Sequence, residues 1–124
     1  MVDRLSPRTV YVASFNTLFK LIGYGIIFVA ADYLIPGLYS SPGPVITTVI
    51  ALTAVGSIAD LTIVPRFGNL PSLLLGFFGM LAIIWFSAQA WPNNNMTLGW
   101  AVLLTLVIGP LEYLLHTIIL RLIK

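Results

Sequence analysis

The sequence predicts an all-α integral membrane protein, a bundle of four helices that each cross the bilayer. Of its 124 residues, 59% are hydrophobic and only 8% are charged. Soluble domains carry roughly 25% charged residues, so this chain lacks the polar side chains needed to cover a water-facing surface. Its apolar residues form four stretches close to the roughly 20 residues that span a bilayer core. We therefore expect one transmembrane domain over residues 1–124.

The first two predicted spans are joined by a turn rich in proline and glycine. The first span covers about residues 9–34, and Pro36 with Gly37 ends it. Residues 39–44 then lead into the second span, about residues 45–64. Proline and glycine stop helices, so these positions mark the boundary between the two spans.

The last two predicted spans follow two further turns. Residues 65–69 form a short polar reversal that again contains proline and glycine. The third span covers about residues 70–91 and the fourth about residues 98–123. Between them, residues 92–95 read Pro-Asn-Asn-Asn, a composition typical of a turn.

Positive charge falls on one side of the predicted membrane. Loops 36–44 and 92–97 contain no Lys or Arg, whereas an excess of these residues marks cytoplasmic segments. The cations outside the span interiors are Arg4, Arg8, Arg66, Arg121 and Lys124. This distribution predicts that both termini are cytoplasmic. The rings expected near the opposite interface are Tyr33, Tyr39, Trp91 and Trp100.

Two opposite charges occur deep inside the predicted spans. A charge at the bilayer centre costs at least about 2.5–3.5 kcal/mol, so such residues usually face the bundle interior and find partners. Lys20 lies roughly 16 Å into the first span at a rise of 1.5 Å per residue, and Glu112 lies at a similar depth in the fourth. Their matching depth predicts an ion pair.

A second polar layer is predicted nearer the cytoplasm. His116 is one turn from Glu112 on the same face of the fourth span, because residues four apart are neighbours on a helix. Asp60 and Asn16 lie at a similar depth, roughly 7–11 Å by helix rise. The predicted buried polar cluster consists of Asn16, Lys20, Asp60, Glu112 and His116.

This predicted cluster is open to three interpretations. It could lock the register of the helices, as polar contacts between membrane helices do. It could instead bind or move an ion, a proton or a small polar ligand, because intramembrane acids and histidines form proton relays. A metal site has little support, since the chain has one histidine and no cysteine. We expect neither a metal nor a cofactor.

Small residues form stripes on the two middle spans. Thr53, Gly56 and Ser57 share a face with Asp60 on the second span, and a similar face on the third reads Ser72, Gly76 and Gly79. Such faces allow close helix packing, within one chain or between two chains.

The sequence excludes two broad classes of function. No G-x-S-x-G, H-E-x-x-H or phosphate-binding glycine loop is present, so we expect no enzymatic activity. The six Lys and Arg residues form no basic run that could follow a phosphate backbone. Nucleic acid is therefore not an expected partner.

Two segments resemble the YndM-like family. Segment 60–69 reads Asp-Leu-Thr-Ile-Val-Pro-Arg-Phe-Gly-Asn, similar to that family's Asp-Leu-…-Pro-Arg/Lys-x-Gly-Asn stretch, and segment 112–116 is similar to its Glu-aromatic-x-x-His element. The resemblance implies a small four-span protein of the plasma membrane of spore-forming Gram-positive bacteria or their relatives, with no assigned activity. It draws attention to the loop residues Arg66, Gly68 and Asn69 beside the predicted cluster. An acidic residue expected in the third span is missing.

Three functions remain open from the sequence. The first is a non-enzymatic membrane protein whose polar cluster holds the bundle together and supports an assembly or partner in the cell envelope. The second is a small transporter or channel, coupled to protons or cations through Glu112 and His116. The third is a membrane protein that binds a lipid or amphipathic ligand near the aromatic rings. The expected partners are the bilayer and either a second copy or another membrane protein.

Overall fold

A computed structural model describes residues 7–39, 41–91 and 95–123, with side chains described for 10–39, 41–91 and 95–122. Arg4 and Lys124, which entered the orientation argument, lie outside the described residues, as do Ser40 and 92–94 of the predicted turns. Within the described ranges the chain forms five α-helices and no strand. They are α1 (Pro7–Leu34), α2 (Pro42–Thr62), α3 (Val64–Phe67), α4 (Asn69–Gln89) and α5 (Leu98–Ile123). All but α3 are long and apolar enough to cross a membrane.

The region between α2 and α4 differs from the sequence prediction. The second span was predicted to continue to residue 64 and to end in a plain reversal, but α2 ends at Thr62 and the short helix α3 follows. Pro65 explains the break, because it has no N–H to donate and its ring conflicts with the carbonyl four residues earlier. The reversal into α4 then occurs at Gly68, whose φ of 86° is a conformation that glycine adopts readily.

The four long helices pack as a ring in the order α1, α2, α4, α5. Helix α1 packs against α2 and α5, and α4 packs against the same two helices. Each neighbouring pair is antiparallel, since short connections join consecutive helices. At one end of the bundle, the segment after α1 contacts the segment before α5. The Asn95 N–H donates a hydrogen bond of 3.1 Å to the Leu38 carbonyl. Because the four long helices form a ring, each of them has one face towards a shared interior.

The interior consists of two apolar layers of unequal size. The larger layer, at the end where Leu38 and Met96 lie, includes Phe28, Leu52 and Ile108. The smaller layer, at the end where α3 lies, consists of Val12, Val64 and Ile119, all buried. We call this second group the lower layer. Large apolar side chains also cover the outside of the helices, as expected for surfaces that face acyl chains.

The aromatic rings at the loop end have different environments. Tyr33 is 85% exposed, as expected for a ring at a membrane interface, whereas Tyr39 is buried among core residues. Burial raises the pKa of Tyr39 to about 12, and the neighbouring Asp32 carboxylate acts in the same direction. Asp32 accepts a hydrogen bond from the Tyr39 N–H at 3.1 Å. Tyr39 is therefore part of the packed loop.

Candidate functional site

Lys20 is fully buried and lies between two carboxylates. Its Nζ is 2.7 Å from both carboxylate oxygens of Glu112 and 3.0 Å from Oδ2 of Asp60. The contact with Glu112 that the matching depths predict is therefore present. Because the ammonium contacts α2 and α5 from α1, one side chain joins three helices.

Tyr24 also belongs to this group, although it is not among the residues predicted from the sequence. Its hydroxyl accepts a hydrogen bond from Lys20 Nζ at 3.1 Å and donates one to Glu112. A signal was available, since Tyr24 lies one turn from Lys20 on the same helix face and a buried tyrosine hydroxyl usually finds a partner. We name the six residues Asn16, Lys20, Tyr24, Asp60, Glu112 and His116 the buried network.

Asp60 connects α2 to two other helices. Asn16 Nδ2 donates to Asp60 Oδ2 at 3.0 Å, and His116 Nε2 lies 3.1 Å from Asp60 Oδ1. The small stripe predicted on the second span faces α1 here: a Cβ added at Gly56 would lie 3.4 Å from Lys20 Nζ. The stripe therefore lies directly against the lysine side chain.

Asn69 fixes the orientation of the His116 ring. The Thr117 hydroxyl donates to the Tyr113 carbonyl at 2.9 Å, so it accepts the hydrogen bond from Asn69 Nδ2 at 3.0 Å. The amide oxygen of Asn69 therefore faces His116 Nδ1, at 3.1 Å. Because an amide oxygen only accepts, Nδ1 carries a hydrogen.

The other ring nitrogen of His116 faces carboxylates. Nε2 lies 3.1 Å from Asp60 Oδ1 and 3.5 Å from Glu112 Oε1. Nδ1 already carries a hydrogen. If Nε2 carried none, its lone pair would point at the carboxylate oxygens, and the two groups would repel each other. One proton therefore lies between Nε2 and the two carboxyl groups. This proton and the Lys20 ammonium balance two carboxylates, so the buried network is electrically neutral.

The structure gives little support to a metal at this site. Ligand atoms of Asp60, Glu112 and His116 lie within 4.8 Å of one another, close enough to hold an ion. However, the Lys20 ammonium already contacts both carboxylates, at 3.0 Å and 2.7 Å. A divalent ion at the same oxygens would lie beside this positive charge, which disfavours binding.

The lower layer separates the buried network from one end of the bundle. Val12, Val64 and Ile119 each lie about one helical turn beyond a network residue, and each is at most 3% exposed. Within the described part of the chain, these three side chains pack together below Asp60 and His116. A cavity of about 180 Å³ between α2 and α4 also borders Glu112 and His116, but most of its lining is apolar.

The three loop residues singled out from the sequence have different positions. Asn69 joins the start of α4 to α5 through His116. Gly68 supplies the positive φ of the reversal. Arg66 lies in α3 and is exposed. The five residues of the predicted cluster meet in one place, and of the loop residues only Asn69 contacts them through a side chain.

Comparison with known proteins gives one family. Residues 15–124 match the family described as protein of unknown function, DUF2512, a range that contains the whole buried network. No curated protein and no solved structure matches the chain. With most of its length matched, the chain belongs to the DUF2512 family.

Proposed function

We propose that this protein is a non-enzymatic multi-pass membrane protein whose buried network holds four transmembrane helices in a fixed arrangement. That arrangement presents a defined surface to an assembly or a membrane partner in the cell envelope. The single observation that carries the proposal is the burial of Lys20 between Glu112 and Asp60.

The contacts of the buried network link all four long helices. Lys20 in α1 contacts α2 and α5, and His116 in α5 contacts Asn69 at the start of α4. In lipid, apolar side chains give little preference between alternative helix registers, because the acyl chains are equally apolar. Sliding α1 by one turn, about 5.4 Å, would remove Lys20 from both carboxylates. The network therefore favours one register.

The positions of the charges support both the membrane and the orientation. Arg66 and Arg121 belong to the same end of the bundle as the start of α1. The excess of cations at that end supports a cytoplasmic location for both termini. The resemblance of segments 60–69 and 112–116 to the YndM-like family supports a bacterial plasma membrane.

A second candidate function is proton-coupled transport. The observation that favours it is the proton shared by His116, Asp60 and Glu112. Transport would need a polar path to this proton, and the lower layer closes one direction in this conformation. The cavity beside Glu112 and His116 is lined mostly by apolar residues and offers no polar path either, which supports the structural function.

Proton flux and thermal stability separate the two candidates. We would reconstitute the wild type and Glu112→Gln into liposomes with an internal pH dye, and measure the thermal unfolding of both in detergent. The structural function predicts no flux above empty liposomes and a lower Tm for Glu112→Gln. Tyr113→Phe is the matched control, because this neighbouring side chain is exposed on the outside of α5. Flux in the wild type that Glu112→Gln abolishes without lowering Tm would establish transport instead.

A further inference from the structure

The small stripe on α4 borders a cavity where it faces α2. Ser72, Gly76, Gly79 and Ile83 recur on one face of α4 and line the cavity of about 180 Å³. Among the described residues, nothing lies within 4 Å of a Cβ built on Gly76 or Gly79. The two glycines therefore leave open space here, where the sequence pattern suggested close helix packing. We call this cavity the α2–α4 slot.

Among the residues that line the slot, Ser72 has a buried hydroxyl with no hydrogen-bond partner in the described part of the chain. Ser72 is only 4% exposed, and its Oγ makes no hydrogen bond within the described chain. A buried hydroxyl without a partner is unfavourable, and serine in a helix can usually bond to a backbone carbonyl of the preceding turn. The free Oγ therefore indicates a ligand that brings a hydrogen-bonding atom to this position.

The slot is long, narrow and open to the side. From Ser72 to Ile83 it extends about 16 Å along α4 at 1.5 Å per residue. Val55 and Leu75 line it and are 53% and 57% exposed, so it reaches the outer surface that would face lipid. A helix, with a diameter of about 10–12 Å, is too wide to enter such a volume. A single hydrocarbon chain is narrow enough.

The polar end of the slot lies at the depth of lipid ester groups. Helix α4 has 21 residues and a length of about 31 Å, close to the roughly 30 Å of a hydrocarbon core. Ser72 is in the first turn of α4, and the apolar wall extends from there towards the bilayer centre. A glycerolipid has the same arrangement of polar and apolar groups, because its ester oxygens lie at the boundary of the hydrocarbon core and its acyl chains extend into the core.

We propose that the α2–α4 slot binds one acyl chain of a membrane glycerolipid, with the Ser72 hydroxyl donating to an ester oxygen of that lipid. The neutral balance of the buried network removes any need for a charged ligand, although Glu112 and His116 form part of the wall. This site lies away from the aromatic rings at the loop end, where the sequence suggested that a ligand would bind. The proposal does not depend on the structural function of the network.

Photo-crosslinking tests the proposal directly. The full chain would be reconstituted with phosphatidylglycerol that carries a diazirine on one acyl chain, and labelled residues would be mapped by mass spectrometry. We expect labelling of the slot residues Val55, Leu75 and Ile83 to exceed labelling of α1. Ser72→Ala should weaken retention of the lipid about 2- to 10-fold, the loss of one hydrogen bond.

Two glycine substitutions on α4 should fill the slot while leaving the thermal stability of the fold unchanged. Gly76→Leu and Gly79→Leu place side chains in open space and should abolish slot labelling at an unchanged or raised Tm. If the leucine side chains lower Tm, Gly76→Ala and Gly79→Ala would be used instead, and they should reduce slot labelling by a smaller amount. Gly25→Leu is the control, because Gly25 also has nothing within 4 Å among the described residues but lies on α1.

The outcomes separate cleanly. Loss of slot labelling in the α4 variants but not in Gly25→Leu supports the proposal. Unchanged labelling in all α4 variants overturns it, as does equal loss in the α1 control, since either result means that lipid contacts the surface without specificity. Tyr24→Phe weakens the buried network at a residue that does not line the slot. This variant should leave labelling intact, so failure of the structural function would be recognised separately.

Discussion

Lys20 Nζ lies 2.7 Å from both carboxylate oxygens of Glu112, although 92 positions separate the two residues in the sequence. The pair brings α1 and α5, the first and last long helices, together at one depth. Asp60 adds a second carboxylate, and the His116 ring holds the proton that balances it. The buried network therefore contains two carboxylates, one ammonium and one further proton, whose charges sum to zero.

Removing the Tyr24 hydroxyl should weaken the network. It bonds with both Lys20 and Glu112, and hydrogen bonds to charged groups contribute about 1.5–3 kcal/mol. We expect Tyr24→Phe to lower the free energy of unfolding by that amount, measured by denaturation in mixed micelles. Tyr33→Phe, at an exposed ring, should change it by less than about 0.5 kcal/mol. Equal effects of the two changes would contradict a special role for Tyr24.

Asn69 should be needed to anchor α4. Its amide contacts His116 Nδ1 and Thr117 Oγ1, so Asn69→Leu leaves polar atoms unpaired at a cost of about 1–3 kcal/mol. We expect a lower Tm and faster proteolysis at the turn into α4. Arg66→Gln, at an exposed position of the same turn, is the control. A loss no larger than the control's would show that Asn69 does not support His116.

The hydrogen-bond pattern makes a spectroscopic prediction for His116. Selective ¹⁵N labelling of the single histidine should show Nδ1 protonated, because it donates to Asn69. Nε2 should show a proton shared with a carboxylate. Asn69→Leu should change the Nδ1 signal more than the Nε2 signal. A neutral ring with hydrogen only on Nε2 would contradict the charge balance of the buried network.

Tyr39 should titrate late in alkaline solution. Its pKa rises from 10.0 to about 12 on folding, because burial disfavours the phenolate. A raised folded pKa means that the contribution of the neutral ring is complete below pH 10 and is lost as pH rises towards 12. We expect Tyr39→Phe to remove a late step from the absorbance titration and to flatten the fall in stability over that range. Loss of a step near pH 10 instead, with the late step retained, would show that Tyr39 is exposed to water.

The sequence contained enough information for the spans and for the central ion pair. Apolar stretches of bilayer length defined the four long helices, and opposite charge at matching depth paired Lys20 with Glu112. Both arguments depend on distance along a helix axis, which helix rise determines. The end of the second span differs from the prediction because Pro65, three residues after the end of α2, lies in the first turn of a new short helix.

Features that depend on contacts between helices could not be predicted in this way. Whether Tyr24 faces Glu112, or Asn69 reaches His116, depends on the rotation of each helix and on the rotamers of its neighbours. The small stripe on α4 is similar: Gly76 could permit close packing or leave a gap, and only the facing residues of α2 decide between them. Sequence patterns describe one helix at a time.

A double-mutant cycle between Lys20 and Glu112 tests the central claim most directly. Removing one member of a buried ion pair should cost about 3–5 kcal/mol, because the other charge is left without its partner. Lys20→Met and Glu112→Gln would be measured singly and together by reversible unfolding in mixed micelles. We predict that the double variant is more stable than the sum of the single effects by roughly 2 kcal/mol or more. Strictly additive effects would contradict a network that holds these helices together through paired charges.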